Sequence, residues 1–214
     1  MSNSYTPEEP IAAIATALAP SALALIRISG KNCIELLSKV FSRPKALTQA
    51  EGNTIVYGWI VDSVNPDQKQ KIDEVLVSVF RTPKSYTGEE MAEISCHGGI
   101  SPVTAIFNLL LKNGFRTALP GEFTFRAFIN GKTDLTKSEA VKEIIDSKTD
   151  ASRSLAAGRL SGNLYNEIQS IKEKIISTIA SIEVELEYPE DEENFSDSFD
   201  STLLLQAKNS LTEL

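Results

Sequence analysis

The hydrophobic pattern changes period near Pro120-Gly121. Before that point apolar residues come in short runs or alternate with polar ones; beyond it they recur every three or four positions. Ile11 to Thr16 and Ala22 to Ile28 are short, apolar and partly β-branched, so they read as strands, with Pro20-Ser21 as a turn between them. Asn32 to Phe41 sets Cys33, Leu36, Leu37, Val40 and Phe41 at helical spacing, with Asn32 as a candidate cap. Asn53 to Asp62 and Ile72 to Phe80 alternate in part and are rich in β-formers. The polar stretch Ser63 to Lys71, with Asn65-Pro66-Asp67 inside it, separates them as in a hairpin. Met91 to Cys96 is a further strand, broken by Gly98-Gly99. Ser101-Pro102 then offers an N-cap and a first helical position for a helix over Val103 to Asn113. Gly114 stands where a C′ glycine is expected, and Phe115 to Leu119 is a last short strand.

From Thr124 onward the pattern predicts helices only. One covers Leu135 to Ser147. A second, long helix runs from about Ala151 to Glu187, with Leu160, Leu164, Ile168, Ile171, Ile175, Ile179, Ile182 and Leu186 as its apolar stripe. Gly158 and Gly162 weaken its first third, and Tyr188-Pro189 closes it. Ser201 to Leu214 begins another helical pattern that stops part-way, so the intact protein is expected to continue. The fold class expected is α+β: a mixed sheet with helices over residues 1–121, followed by the first helices of an all-α domain over 122–214.

Composition adds little to this until charge is mapped. The chain has 214 residues, 42% hydrophobic and 23% charged, which is ordinary for a globular protein. Its net charge is −8, but Glu183 to Asp200 holds nine acids with no Lys or Arg, and without them the balance is +1. The acidity is thus a local run, read as a solvated linker, and the whole does not resemble a general nucleic-acid scaffold. No apolar run approaches the roughly 20 residues of a membrane-spanning helix. Met1 to Pro10 is polar and acidic, unlike a signal peptide. Cys33 and Cys96 form neither a disulfide framework nor a zinc pattern, so a reducing, cytoplasmic setting is expected.

Four polar clusters carry candidate chemistry. Arg27-Ile28-Ser29-Gly30 ends a strand ahead of a helix, a common anion-binding arrangement, although a surface arginine beside an ordinary turn gives the same pattern. Tyr86-Thr87-Gly88-Glu89-Glu90 precedes Glu93 and His97-Gly98-Gly99. Glu93 shares a strand face with Met91 and Ser95, which suggests an open or ligand-facing side; a solvated strand glutamate is the plainer alternative. His97, the only histidine, has no metal-like spacing around it and no visible nucleophile to activate. Pro120 to Phe128 concentrates three Phe with Glu122 and Arg126, a density of rings that favours a core role over a ligand platform. Asn130-Gly131-Lys132-Thr133-Asp134 ends like a phosphate loop, but Arg126 stands where its first glycine belongs and no strand precedes it. Thr133 or Asp134 is better read as the cap of the next helix.

Taken in order, these segments resemble one family. Leu25 to Gly30, Ser85 to Glu89, Cys96 to Gly99, Pro120 to Thr124 with Arg126-Ala127-Phe128, and Lys132 with Asp134-Leu135 and Ser138-Glu139-Ala140 follow one another as in the MnmE/TrmE tRNA-modification GTPases, over about Ile11 to Glu193. The resemblance implies an N-terminal domain like that of folate-dependent one-carbon enzymes. Such a domain forms a homodimer and binds 5-formyltetrahydrofolate, with Arg27, Glu93 and Lys132 at the matching ligand positions. A carboxylate suits the amide-like edge of a pterin, and Arg or Lys suits the carboxylates of the glutamate tail.

The family's helical domain receives an inserted GTPase domain. That domain's P-loop, with the GTP, potassium and magnesium it handles, and the C-terminal cysteine motif are absent from this sequence, so no catalytic residue and no metal ligand is expected here. The intact protein is expected to act with an FAD-dependent partner protein on carbon 5 of the wobble uridine of certain tRNAs, in the cytoplasm and not at a membrane. Ala19 to Ala24 departs from the glycine-rich turn found in many relatives. Two alternatives stand beside this reading: a self-contained one-carbon transferase of the glycine-cleavage T-protein type, and a non-catalytic helical interaction module.

Overall fold

A computed structural model describes residues 9–65, 68–187 and 201–213. The chain divides into two compact units, Met1–Thr133 and Asp134–Leu214. The first holds a six-stranded sheet built from β1 (Ile11–Ile14), β2 (Leu23–Ser29), β3 (Thr54–Asn65), β4 (Gln68–Phe80), β5 (Met91–His97) and β6 (Arg116–Thr117). Its order is β3-β4-β5-β2-β1-β6, antiparallel throughout except where β6 joins β1 in parallel. Helices α1 (Cys33–Ser38), α2 (Pro44–Thr48), α3 (Ile100–Lys112) and α4 (Glu122–Ile129) complete this unit.

Strand alternation sorts the side chains into two faces. Ala24, Ile26 and Ile28 of β2, Val75, Val77 and Val79 of β4, and Ala92, Ile94 and Cys96 of β5 are buried. They form one core with Cys33, Ile34 and Leu37 of α1 and Val103, Ile106 and Leu110 of α3. Arg27, Glu93, Ser95, Leu76, Ile55 and Tyr57 belong to the opposite face. The register aligns them in rows across the sheet, Ile55–Ser78–Glu93–Arg27–Ala13 and Tyr57–Leu76–Ser95–Leu25.

The second unit is helical, as expected: α5 (Leu135–Asp146), α6 (Asp150–Leu160), α7 (Asn163–Glu187) and α8 (Ser201–Glu213). The Asp134 carboxylate accepts the Lys137 N–H at 2.8 Å and so caps α5. Thr149 and Ser152 form a capping box on α6.

The structure revises several local expectations. The long helix is two helices, because Gly162 takes φ 96°, a left-handed conformation that ends α6 and lets α7 start afresh. The polar stretch after Asp62 is not a loop. Strand pairing continues to Asn65 and resumes at Gln68, with bulges after Ile60 and after Ser63 absorbing the misfit in pattern. Asn32 precedes α1 with φ 57°, but its side chain makes no capping bond. Helix α3 begins at Ile100, so Ser101 and Pro102 lie within its first turn, where a proline costs no hydrogen bond. Gly114 has φ 99° directly after the C-cap Asn113, as its C′ position requires. Tyr188-Pro189 and most of the acidic run lie outside the described residues.

The first unit also extends to Thr133, beyond the division expected after Gly121. Its last helix and the residues just after it are fastened to the loop between β4 and β5, Arg81–Glu90, by four side chains. Thr124 bonds the Tyr86 hydroxyl, Arg126 the Glu89 carboxylate, Asn130 the Thr87 carbonyl and Lys132 the Pro83 carbonyl. Polar bonds of this kind leave no trace in hydrophobic periodicity, so the change of pattern near Pro120 carries no sign of them.

Candidate functional site

Arg27 and Glu93 face each other across β2 and β5. The arginine Nε and Nη2 reach Glu93 Oε1 at 2.8 and 2.7 Å, so the two residues form a half-buried ion pair. Two rings lie beside the guanidinium: its carbon is 5.3 Å from the centre of Tyr86 and 5.7 Å from that of Phe123. Each such contact contributes on the order of 0.5–2 kcal/mol, more as water is excluded. Arg27 is therefore oriented by a carboxylate and two aromatic faces. Lys132 donates from Nζ to the Pro83 carbonyl at 3.0 Å, at the other end of the same loop that carries Tyr86. An ammonium has three N–H donors, so this bond leaves capacity for an incoming anion.

Beside this site lies a chain of ion pairs. Glu122 receives Arg116 at 2.7 Å and Arg126 at 2.9 Å, and its second oxygen accepts the Leu119 N–H at 2.7 Å. Arg126 continues to Glu89 at 3.0 Å, and Glu89 accepts from the Ser29 hydroxyl at 2.8 Å. Burial by itself raises the Glu122 carboxyl; Arg116, the Leu119 N–H and Arg126 outweigh it and bring the group down to about 2. The Phe-rich stretch thus has the reverse of the expected burial. Glu122 and Arg126 are buried, while Phe125 and Phe128 are exposed and Phe123 turns toward Arg27.

His97 ends β5 with its Nδ1 2.7 Å from Asp73 Oδ1, and its N–H donates to Asp73 Oδ2 at 2.8 Å. That carboxylate raises the imidazole above its ordinary value. Asp73 had no signal in the sequence; it is an acid in the middle of β4, a strand that also buries Val75, Val77 and Val79. Cys33 and Cys96 are both buried and unbridged, and burial pushes the Cys96 thiol up to about 11. Among the described residues, no cluster of His, Cys, Asp and Glu has the arrangement of a metal site, and no helix is long and apolar enough to cross a membrane.

A polar cleft of about 640 Å³ opens on the loop as well, between Gly88, Glu89 and Glu90 and the start of α1. Arg27, Glu93 and Lys132 do not line it. Its Arg81 is already bonded to Glu90 at 2.6 Å and to the Thr48 and Ala50 carbonyls. Three carboxylates against two cations make this cleft a poor receptor for an anionic ligand.

The family follows from comparison of the whole chain. Residues 10–132 match the model described as GTP-binding protein TrmE N-terminus, and residues 135–214 match the MnmE helical domain. The chain belongs to the MnmE/TrmE family. It is 53% identical over 210 residues to a tRNA modification GTPase MnmE of Treponema denticola, covering 98% of this chain and 44% of that protein. It is 45% identical over 214 residues to the MnmE of Borreliella burgdorferi strain ZS7, covering 100% and 45%. Against the MnmE of Carboxydothermus hydrogenoformans it is 49% identical over 185 residues, covering 86% and 40%. The chain therefore spans less than half the length of these curated MnmE relatives. The boundary between the two matched MnmE regions falls beside the boundary between the two compact units.

Proposed function

We propose that this chain is the folate-binding and dimerising part of a tRNA-modifying GTPase, and that 5-formyltetrahydrofolate binds at Arg27, Glu93 and Lys132. The observation that carries the reading is the Arg27–Glu93 pair beside the Tyr86 and Phe123 rings. Folate is a flat heterocycle joined through an aromatic ring to a carboxylated tail, and these groups fit its parts. Rings and a guanidinium plane suit stacking, Glu93 Oε2 suits the N–H donors of a pterin edge, and Lys132 Nζ suits a tail carboxylate. In the intact protein, GTP hydrolysis with potassium and magnesium would belong to a further domain. An FAD-dependent partner would join in modifying carbon 5 of wobble uridine in tRNA, in the cytoplasm.

The outer face of the sheet supports the dimer. Ile55, Tyr57, Leu76 and Leu23 are all large apolar residues exposed on it, with Ile55 and Leu23 each 66% accessible. A second copy of the chain is the occupant we assign to that face. Calorimetric titration with 5-formyltetrahydrofolate, on material sized by light scattering, tests both parts. Saturable binding to a dimer is expected. A well-folded dimer that takes up no folate would refute the ligand, and a folded monomer at high concentration would refute the interface.

A further inference from the structure

We propose that Arg126 is a positioning residue for the candidate folate site, acting through Glu122 and Glu89 to hold Tyr86 and Phe123 against Arg27; this rests on the ligand reading above. The Arg126 side chain is fully buried and bonds in two directions. Its Nε and Nη2 reach Glu122 at 3.3 and 2.9 Å, one turn back on α4. Its Nη1 reaches both oxygens of Glu89, at 3.0 and 3.3 Å, on the β4–β5 loop. Phe123 follows Glu122 directly on α4, and Tyr86 stands three residues before Glu89 on the loop. The ring that each carboxylate governs is one of the two beside Arg27. The Tyr86–Thr124 hydroxyl contact at 2.9 Å closes the same junction from the far side.

The chemistry favours a geometric role over a purely stabilising one. A buried ion pair recovers little more than its desolvation cost, and apolar residues of like volume often stabilise as well or better. What an apolar contact cannot do is fix direction. The guanidinium is a rigid planar fork that meets its carboxylates in few orientations, so α4 and the loop are held at one register. Glu122 is in turn anchored by Arg116 and the Leu119 N–H, so the fork is held from a fixed point on the sheet side.

The test is amide hydrogen exchange on the full chain, paired with calorimetry against 5-formyltetrahydrofolate. Arg126→Lys keeps the charge and loses the fork. Glu89→Gln weakens the loop side at a partly accessible carboxylate, together with the bond from Ser29 at the end of β2, and remains informative if the arginine variant does not fold. In both, exchange over residues 82–89 should rise about tenfold with residues 23–28 of β2 unchanged, as for a local opening, and the folate Kd should rise about tenfold. A rise shared equally by β2 would mean general destabilisation and overturn the proposal. So would loop protection, or folate affinity, equal to the parent in a folded variant. If the parent chain itself binds no folate, the ligand reading falls, and the exchange result alone decides whether Arg126 fixes the loop.

Discussion

One face of the sheet has two ends, and they meet opposite fates. At one end Ile11, Ser29 and Met91, which are register neighbours, are all buried, and the Ser29 hydroxyl is closed off by Thr87 and Glu89. At the other end Tyr57 and Leu76 are about half exposed. The row between them carries Arg27 and Glu93. The same alternation of side chains produced both ends, so alternation fixes which residues share a face and leaves open what covers it. The cover at the first end is held by charge, through Glu122, Arg126 and Glu89. The candidate site sits where that cover stops: rings on one side of an ion pair, bare sheet on the other.

Removing the cover's anchor is the strongest way to break this contrast. Glu122→Ala strips two arginines of a buried partner and should cost about 3–5 kcal/mol in urea unfolding. The same carboxyl predicts an acid limb. Its folded value is depressed to about 2, so its contribution is complete above its ordinary value of 4.5 and is lost as pH falls from there toward 2. Stability measured between pH 5 and 2 should fall less steeply in the variant than in the parent. An equal slope would mean the charge chain does not hold the cover.

At the bare end, Leu76→Asp should dissociate the proposed dimer while leaving the sheet intact, because that side chain is exposed in the single chain. The expected loss is about 2 kcal/mol of association per buried leucine, with a desolvated charge added to it. Sedimentation over a concentration series reads this directly; an unchanged assembly would move the interface elsewhere. In the middle row, Arg27→Ala and Lys132→Ala should each weaken folate binding by about 1.5–3 kcal/mol without lowering the melting temperature appreciably. Undiminished affinity in both would remove the site assignment.

The smallest effect concerns His97, whose imidazole is mostly exposed. Asp73 raises its folded value, so the pair stabilises the fold fully below the unfolded histidine value and loses that contribution as pH rises through the folded one. An NMR titration should give His97 a lower midpoint in Asp73→Asn than in the parent. Identical midpoints would show that the strand-end contact does not persist in solution.

The face that Glu93 shares with Met91 and Ser95 was legible from the chain alone, because period-two alternation is a local property of extended backbone. The six strands and the helix near Val103 follow from other local signals, short β-branched runs and helix-end residues; the cap of α5, left between Thr133 and Asp134 by the sequence, is Asp134. Arg27, Glu93 and Lys132 stood out through ordered motifs, yet nothing in their spacing announced that the first two pair with each other. Nor could the chain show that Glu122 and Arg126 go inside while Phe125 and Phe128 stay out. A buried ion pair depends on partners distant in sequence, here Glu89 and Arg116, and periodicity weighs only a residue's own polarity. Composition and periodicity determined the elements, and motif order determined the family. Tertiary structure alone decided which end of the sheet is covered, because that depends on directional bonds between segments far apart along the chain.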